Sequence, residues 1–415
     1  MSFSGKNIIN KLRIGVFSYY LRNGGRARIT SLLLNYLYKV NIFNLYLFTR
    51  KTDFEKESEY YIENNIIRKN IRNFTIAKLI KEIKKNKIDI LIFQNSNSKD
   101  IQLLSNLNNI KTIFYQHQSI FFWLYNKYAY FKTVYEAYHS AKYIVSLIHL
   151  ENDYIFRKWG IESIFMDNFI SYNLKKVIPS DLSYKNIIMV GRADNRLKRF
   201  NFGIYAMEYI IQEIPECEMK ILSEDENVNG LLEIIDVLNL KNNVKFYGYT
   251  STPEIFFKKV SLHIFPSISE SFGLVLCETK IYSIPNIILG LDYISIYKGG
   301  TINIYDDRVE TIANEAIKIL INDKYREILG KSGRKSMKIL DNELLLKKWI
   351  KLILSVYFGN NYYQKLREEE RIISENEAKK ILENQINLLK MRNSIYSNVT
   401  INNINNFTYM NNLQI

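Results

Sequence analysis

The sequence predicts an α/β protein with two parallel-sheet, Rossmann-like domains and a helical tail. Short apolar runs alternate with amphipathic helical stretches along most of the chain, the signature of repeated β-α units. The chain has 415 residues, too many for one ordinary core. The alternation breaks once, at a polar segment holding Pro179, before a second strand series begins at Ile187. These features place a first domain at 1–172, a linker at 173–185 and a second domain at 186–343.

In the first domain Leu12 to Tyr19 reads as a strand, Asn23-Gly24-Gly25 as a tight turn and Ala27 to Tyr38 as an apolar-periodic helix. Such a strand, glycine turn and helix presents backbone amides to an anion, although a plain turn has the same spelling. Ile88 to Phe93, Thr112 to Tyr115 and Lys142 to Ile148 follow as buried strands. Right-handed crossovers between them imply a parallel sheet.

The second series runs Ile187 to Gly191, Glu218 to Leu222, Val244 to Tyr249, Leu262 to Phe265 and Asn286 to Leu289, with Thr301 to Tyr305 last. A terminal helix is expected within 344–365. Beyond it, within 366–415, Leu366 to Met391 has the charge and period of a surface helix, and Asn393 to Ile415 is Asn-rich with little periodicity.

A formal net charge of +15 predicts attraction to anionic partners. Nucleic acid, an anionic membrane surface and nucleotide sugars all qualify, but no nucleic-acid-binding motif accompanies the charge. Ile76 to Lys85 is basic and amphipathic, the pattern of a core-packed helix with a solvated face or of an interfacial one. Cys217 and Cys277 are far apart, which argues against a disulfide framework, and no Cys/His spacing suits zinc. The first residues lack the apolar core of a signal peptide, and no apolar run reaches spanning length, so a cytoplasmic protein is expected, with contact at a membrane surface left open.

Chemistry concentrates where strands end. Leu262 to Phe265 leads into the loop Ser267 to Ser271, and Phe272 to Tyr282 then reads as a buried helix. Glu270 therefore lies at the helix entrance and Glu278 roughly two turns along, a placement that lets two carboxylates accept from an extended polyol. Arg192 and Lys198 follow the strand ending at Gly191 and could meet one diphosphate from two sides. His117 follows the strand ending at Tyr115, where an imidazole could bond a sugar hydroxyl. The aromatic run Ile120 to Tyr125 suits either core packing or stacking on an acceptor. No Asp-x-Asp pair is present to hold a nucleotide-bound metal, so no metal site and no cofactor is expected.

Gly191-Arg192, Lys198, Glu270-Ser271-Phe272-Gly273, Glu278 and Pro285, in that order, resemble the donor-binding half of family-4 glycosyltransferases of the GT-B type. The resemblance is specific over Asn186 to Leu320 and weaker over the first 355 residues. It implies two domains facing a cleft, with Glu278 on the nucleotide ribose and Glu270 with the Ser271, Phe272 and Gly273 segment on the donor sugar. Arg192 and Lys198 would take the diphosphate, Gly24 and Gly25 would approach the phosphates, and His117 would touch the donor sugar. Two departures stand out. Arg26-Ala27-Arg28 occupies the place of an acidic residue after the glycines, and Glu224-Asp225-Glu226 replaces a glycine-rich turn. The implied activity is retaining, metal-independent transfer of a hexose from a nucleotide diphosphate sugar to a hydroxyl of a glycan or lipid acceptor. A non-catalytic nucleotide- or glycan-binding protein, or a basic nucleic-acid-binding protein, is the alternative.

Overall fold

In the computed structural model the described residues are 11–359 and 375–396, apart from 23, 51–58, 95–106, 108–109, 120, 123–135, 137, 142, 153–158, 194–196 and 224–227. Glu224-Asp225-Glu226, most of the aromatic run after Phe122, and the Asn-rich segment from residue 397 lie outside them.

Two parallel sheets form the scaffold. The first has seven strands in the order β3-β2-β1-β4-β5-β6-β7: β1 Leu12–Phe17, β2 Phe43–Arg50, β3 Ile67–Ile71, β4 Ile90–Phe93, β5 Lys111–Tyr115, β6 Tyr143–Ser146 and β7 Ile164–Phe165. The second has six, β10-β9-β8-β11-β12-β13: β8 Asn186–Val190, β9 Glu218–Leu222, β10 Val244–Phe246, β11 Leu262–Phe265, β12 Asn286–Leu289 and β13 Thr301–Ile304. Each sheet reverses its winding once, between β1 and β4 and between β8 and β11. At such a reversal, the loops leaving the two strands diverge and open a crevice at their carboxyl ends.

The strands are short apolar runs because both faces are covered. Every residue of β4, β11 and β12 is buried. Helix α1 (Gly25–Lys39) buries Ile29, Leu33, Leu34 and Leu37 on the first sheet, each burial stabilising by about 1.5–3 kcal/mol. Helix α2 (Ile76–Lys85) buries Leu79 and Ile83 and leaves its lysines at or near solvent, so its amphipathic pattern is that of a core-packed helix. In the second sheet α3 (Phe200–Glu213) packs Gly203 so closely on Met189 that a Cβ would lie 2.3 Å from its sulfur.

Helix α4 (Asn342–Phe358) returns to the first domain. Asp341 caps it by accepting from the Glu343 and Leu344 amides, and Gly359 ends it at φ 70°. Asn342 donates to the Tyr36 hydroxyl at 2.7 Å and to the Ile170 carbonyl at 2.8 Å. Trp349 is fully buried against Tyr115, ring centroids 5.0 Å apart. One apolar cluster runs from the first sheet through this helix into residues 257–296 of the second domain, so the two units share a core.

The tail departs from the surface helix that its charge suggests. Helix α5 (Glu375–Tyr396) buries Ala378, Ile381, Leu382, Gln385, Ile386, Leu388, Leu389 and Arg392 along one face. Charged residues at 379, 380, 383 and 390 fill the opposite face, which masks the stripe in a reading of composition alone.

Candidate functional site

The crevices of the two sheets face each other. From the first come the Gly24-Gly25 turn after β1, Gln94 after β4 and His117 after β5; from the second come Gly191 to Ala193 and Leu197 to Arg199 after β8 and Ser267 to Gly273 after β11. Helix α1 and the Leu274–Ile281 helix, α6, start on opposite sides of this gap. Gly24 adopts φ 108° before α1, and Gly273 adopts φ 80° before α6, conformations that L side chains rarely take. A Cβ on Gly25 would sit 3.0 Å from the Leu274 Cδ1, so the two helix starts meet at near-contact distance.

Lys198 and Glu270 come together as an ion pair, Nζ to Oε1. Their side chains are 21% and 13% exposed, enough for an incoming anion to reach the ammonium group. Lys198 Nζ also lies 5.3 Å over the Phe265 ring. The Ile268 amide donates to the Leu197 carbonyl at 2.8 Å, which binds the two loops to each other beneath the pair. Tyr293 supports the acid from the far side, its hydroxyl accepting from the Glu270 amide at 3.1 Å.

Ser271 reaches across the cleft, its hydroxyl donating to the His117 carbonyl at 2.7 Å. The residue His117 is partly exposed, yet its Nε2 is covered and has no hydrogen-bond partner. Burial, assisted by the charge of Arg26, holds its pKa down to about 3, so the ring is neutral at ordinary pH. A neutral imidazole offers a hydroxyl one donor and one acceptor nitrogen. Phe121, just beyond, stacks on Tyr293 at 4.1 Å, a second bridge between domains.

Glu278 is buried on the second turn of α6, with Arg28 Nη1 donating to its Oε1 from α1. Burial pushes the Glu278 carboxyl up and Arg28 opposes that shift. A small, partly open space beside the pair is lined by Phe169, Ser171, Tyr172, Leu274 and Cys277. Phe272 is buried beneath the same helix start. Arg192 stands apart, exposed to solvent at the end of β8.

The structure thus gathers Lys198, Glu270, Ser271, Gly273 and His117, and places Glu278 near Gly25, but leaves Arg192 outside these contacts. Sequence reasoning missed Arg28, Ser171 and Tyr293 as members of the site. Arg28 carries a signal only in hindsight, as a cation two residues beyond Arg26 where an acidic residue was expected. His263 is structural, fully buried with Nδ1 2.7 Å from the Asn286 Oδ1.

The sequence of the second half matches the family description "Glycosyl transferases group 1" over residues 172–336. A Staphylococcus aureus poly(ribitol-phosphate) alpha-N-acetylglucosaminyltransferase is 23% identical over 210 residues, 48% of this chain and 41% of that protein. The chain spans about half the length of the curated relatives it matches. Sucrose-phosphate synthase from Thermosynechococcus elongatus superposes with a TM-score of 0.69 at 17% identity, over 84% of this chain and 100% of that one. S. aureus TarM, solved with fondaparinux, alpha-GlcNAc-glycerol and UDP, gives 0.66 at 13% identity, over 83% and 99%. The chain therefore has the two-domain GT-B fold, and both sheet crevices belong to the cleft that this fold encloses.

Proposed function

We propose that this chain is a retaining, metal-independent glycosyltransferase that moves a hexose from a nucleotide diphosphate sugar to a hydroxyl of a glycan or lipid acceptor. The observation that carries the reading is the Lys198–Glu270 pair at one sheet's crevice, set against His117 of the other by the Ser271 bridge. The match to a group 1 domain and the UDP held by TarM support it.

In the reaction the bond between the anomeric carbon and the phosphate oxygen breaks, and its electron pair leaves with the nucleoside diphosphate. The acceptor oxygen bonds to the anomeric carbon, and the acceptor proton passes to the leaving diphosphate. Negative charge grows on that diphosphate, and Lys198 is the cation placed to meet it, with Arg192 swinging in from solvent as the cleft closes. Once Lys198 turns to phosphate, Glu270 is free to accept from donor-sugar hydroxyls, and His117 Nε2 supplies a further contact. Glu278 takes the ribose. Arg28 engages its Oε1, and a carboxylate has capacity for further donors at Oε2. Retention follows from the family resemblance, and no side chain is assigned as a covalent nucleophile. The reading includes a cytoplasmic site of action, with the basic surface resting on an anionic membrane when the acceptor is a lipid.

The deciding experiment incubates the full chain with a panel of UDP- and GDP-sugars in EDTA and measures nucleoside diphosphate release and the mass of any transferred sugar. Release from one donor class is expected, with Lys198→Ala reducing it on the order of a hundredfold. Nucleotide binding without turnover of any donor would show a binding module instead. Restoration of activity only by a divalent ion would remove the metal-independent part of the reading.

A further inference from the structure

Helix α5, outside the group 1 match, reaches the same crevice from beneath. Arg392 Nη2 donates to Asp307 Oδ1 at 3.1 Å, and Arg199 Nη1 donates to the same oxygen at 2.6 Å. The arginine side chains are 2% exposed and that of Asp307 is 1% exposed. Although burial opposes it, Arg392 and Arg199 hold the Asp307 carboxyl below the usual carboxylate range, as an ionised bridge requires. Arg199 directly follows Lys198 and sits at φ 53°, ψ 45°, a left-handed turn that a non-glycine residue keeps only where its surroundings enforce it. The Asp307 bridge is one such restraint.

Two turns earlier, the same helix holds the other half of the site. Gln385 donates to the Gly290 carbonyl at 2.7 Å and to Asp292 Oδ1 at 2.9 Å, and Asn384 donates to Asp292 Oδ2 at 2.9 Å. Asp292 precedes Tyr293, whose hydroxyl supports the Glu270 amide. Leu388 lies where a side chain on Gly290 would have to go, a Cβ there falling 2.2 Å from Leu388 Cδ1.

We infer that α5 is a positioning element for the donor site, Arg392 setting the Lys198 turn through Asp307 and Arg199, and Gln385 with Asn384 setting Glu270 through the Asp292-Tyr293 segment. The two residues that form the ion pair are thus aligned by one helix, which lies outside the matched domain. The inference rests on the assignment of Lys198 and Glu270 to the donor site.

The test uses the full chain and the donor that the panel turns over. Arg392→Met and Gln385→Met keep side-chain bulk and remove the polar links, and each is expected to lower kcat/KM for the donor roughly tenfold, because sub-ångström displacement of a phosphate-binding cation is costly. Arg392→Lys should recover much of the loss. Ile381→Ala, a turn before Gln385 and in none of these hydrogen bonds, loosens the same helix and should lower the melting midpoint while kcat/KM stays within about twofold. If Ile381→Ala slows the enzyme as much as Arg392→Met, packing alone matters and the inference is overturned. It is also overturned if both methionine variants match wild type while Lys198→Ala is inactive, a result that leaves the donor-site assignment standing. Full activity of Lys198→Ala removes that assignment and the inference with it. Should Arg392→Met fail to fold, Gln385→Met decides.

Discussion

Arg28 Nη1 donates to the Glu278 carboxylate from the opposite domain, while Arg28 Nε and Nη2 lie 3.0 and 2.9 Å from the Ser171 hydroxyl. One guanidinium therefore ties the first helix, the end of the first domain and α6 together. The side chains are 19% and 5% exposed, so the two ends are unequal. Truncating the arginine strands a buried carboxylate, whereas neutralising the glutamate leaves a cation that can still reach water. Arg28→Ala should cost about 3 kcal/mol, Glu278→Gln distinctly less, and the double variant less than their sum. Urea unfolding of the four proteins checks this, and strict additivity would show that the pair is uncoupled.

Glu270 and Glu278 should separate kinetically. Under the proposed assignment, Glu278→Gln weakens a ribose contact made equally in ground and transition states, so donor KM should rise about tenfold with kcat little changed. Under the same assignment Glu270→Gln alters groups beside the reacting sugar, and kcat should fall roughly a hundredfold. Identical effects on the two constants would remove the division into ribose and sugar ends.

Gly25 supplies a steric test of the cleft. With Leu274 Cδ1 3.0 Å from where a Cβ would stand, Gly25→Ala asks one terminal methyl to shift by a few tenths of an ångström, and activity should persist. Gly25→Val asks far more and should lower donor kcat/KM about tenfold. Adding Leu274→Ala should restore much of it; an unrescued loss would place the defect elsewhere.

Acid should destabilise the fold before it protonates most carboxylates. Burial holds the pKa of His117 down to about 3 and those of His149 and His263 down to about 4, against 6.5 in the unfolded chain. Between pH 6.5 and about 4 the unfolded chain binds protons that these rings refuse, so stability falls as pH falls, by up to about 1.4 kcal/mol per pH unit for each ring. Asp167, pushed up to about 6 by burial, and Glu278 and Asp292, also raised by burial, act the opposite way lower in that range, so the decline is steepest between pH 6.5 and about 6. His149→Phe should flatten the decline measured by thermal melting, and a midpoint that is constant from pH 7 to 4.5 would contradict the prediction.

All six strands of the second sheet are legible in the chain, because each is a short apolar run bounded by polar or glycine-containing turns. In the first sheet β2, β3 and β7 escape notice. Strand β3, Ile-Arg-Lys-Asn-Ile, is a polar edge strand that buries only Ile71, and β7 is only two residues long. Strand β2 does alternate at Phe43, Leu45 and Leu47, a signal that was available. The tail helix was visible as a helix but not as a buried one, since its apolar stripe is diluted by charge.

The β-α alternation, the loops at the strand ends and the residues those loops carry are written in the chain itself, since each depends on neighbours a few positions away. Which residues meet is set by how the elements pack. Arg28 and Glu278 are 250 positions apart, Lys198 and Glu270 72, and Arg392 and Asp307 85. Local periodicity says which face of an element is buried. It does not say which charge waits on the element packed against it, because that follows from how two sheets and a returning helix share one core.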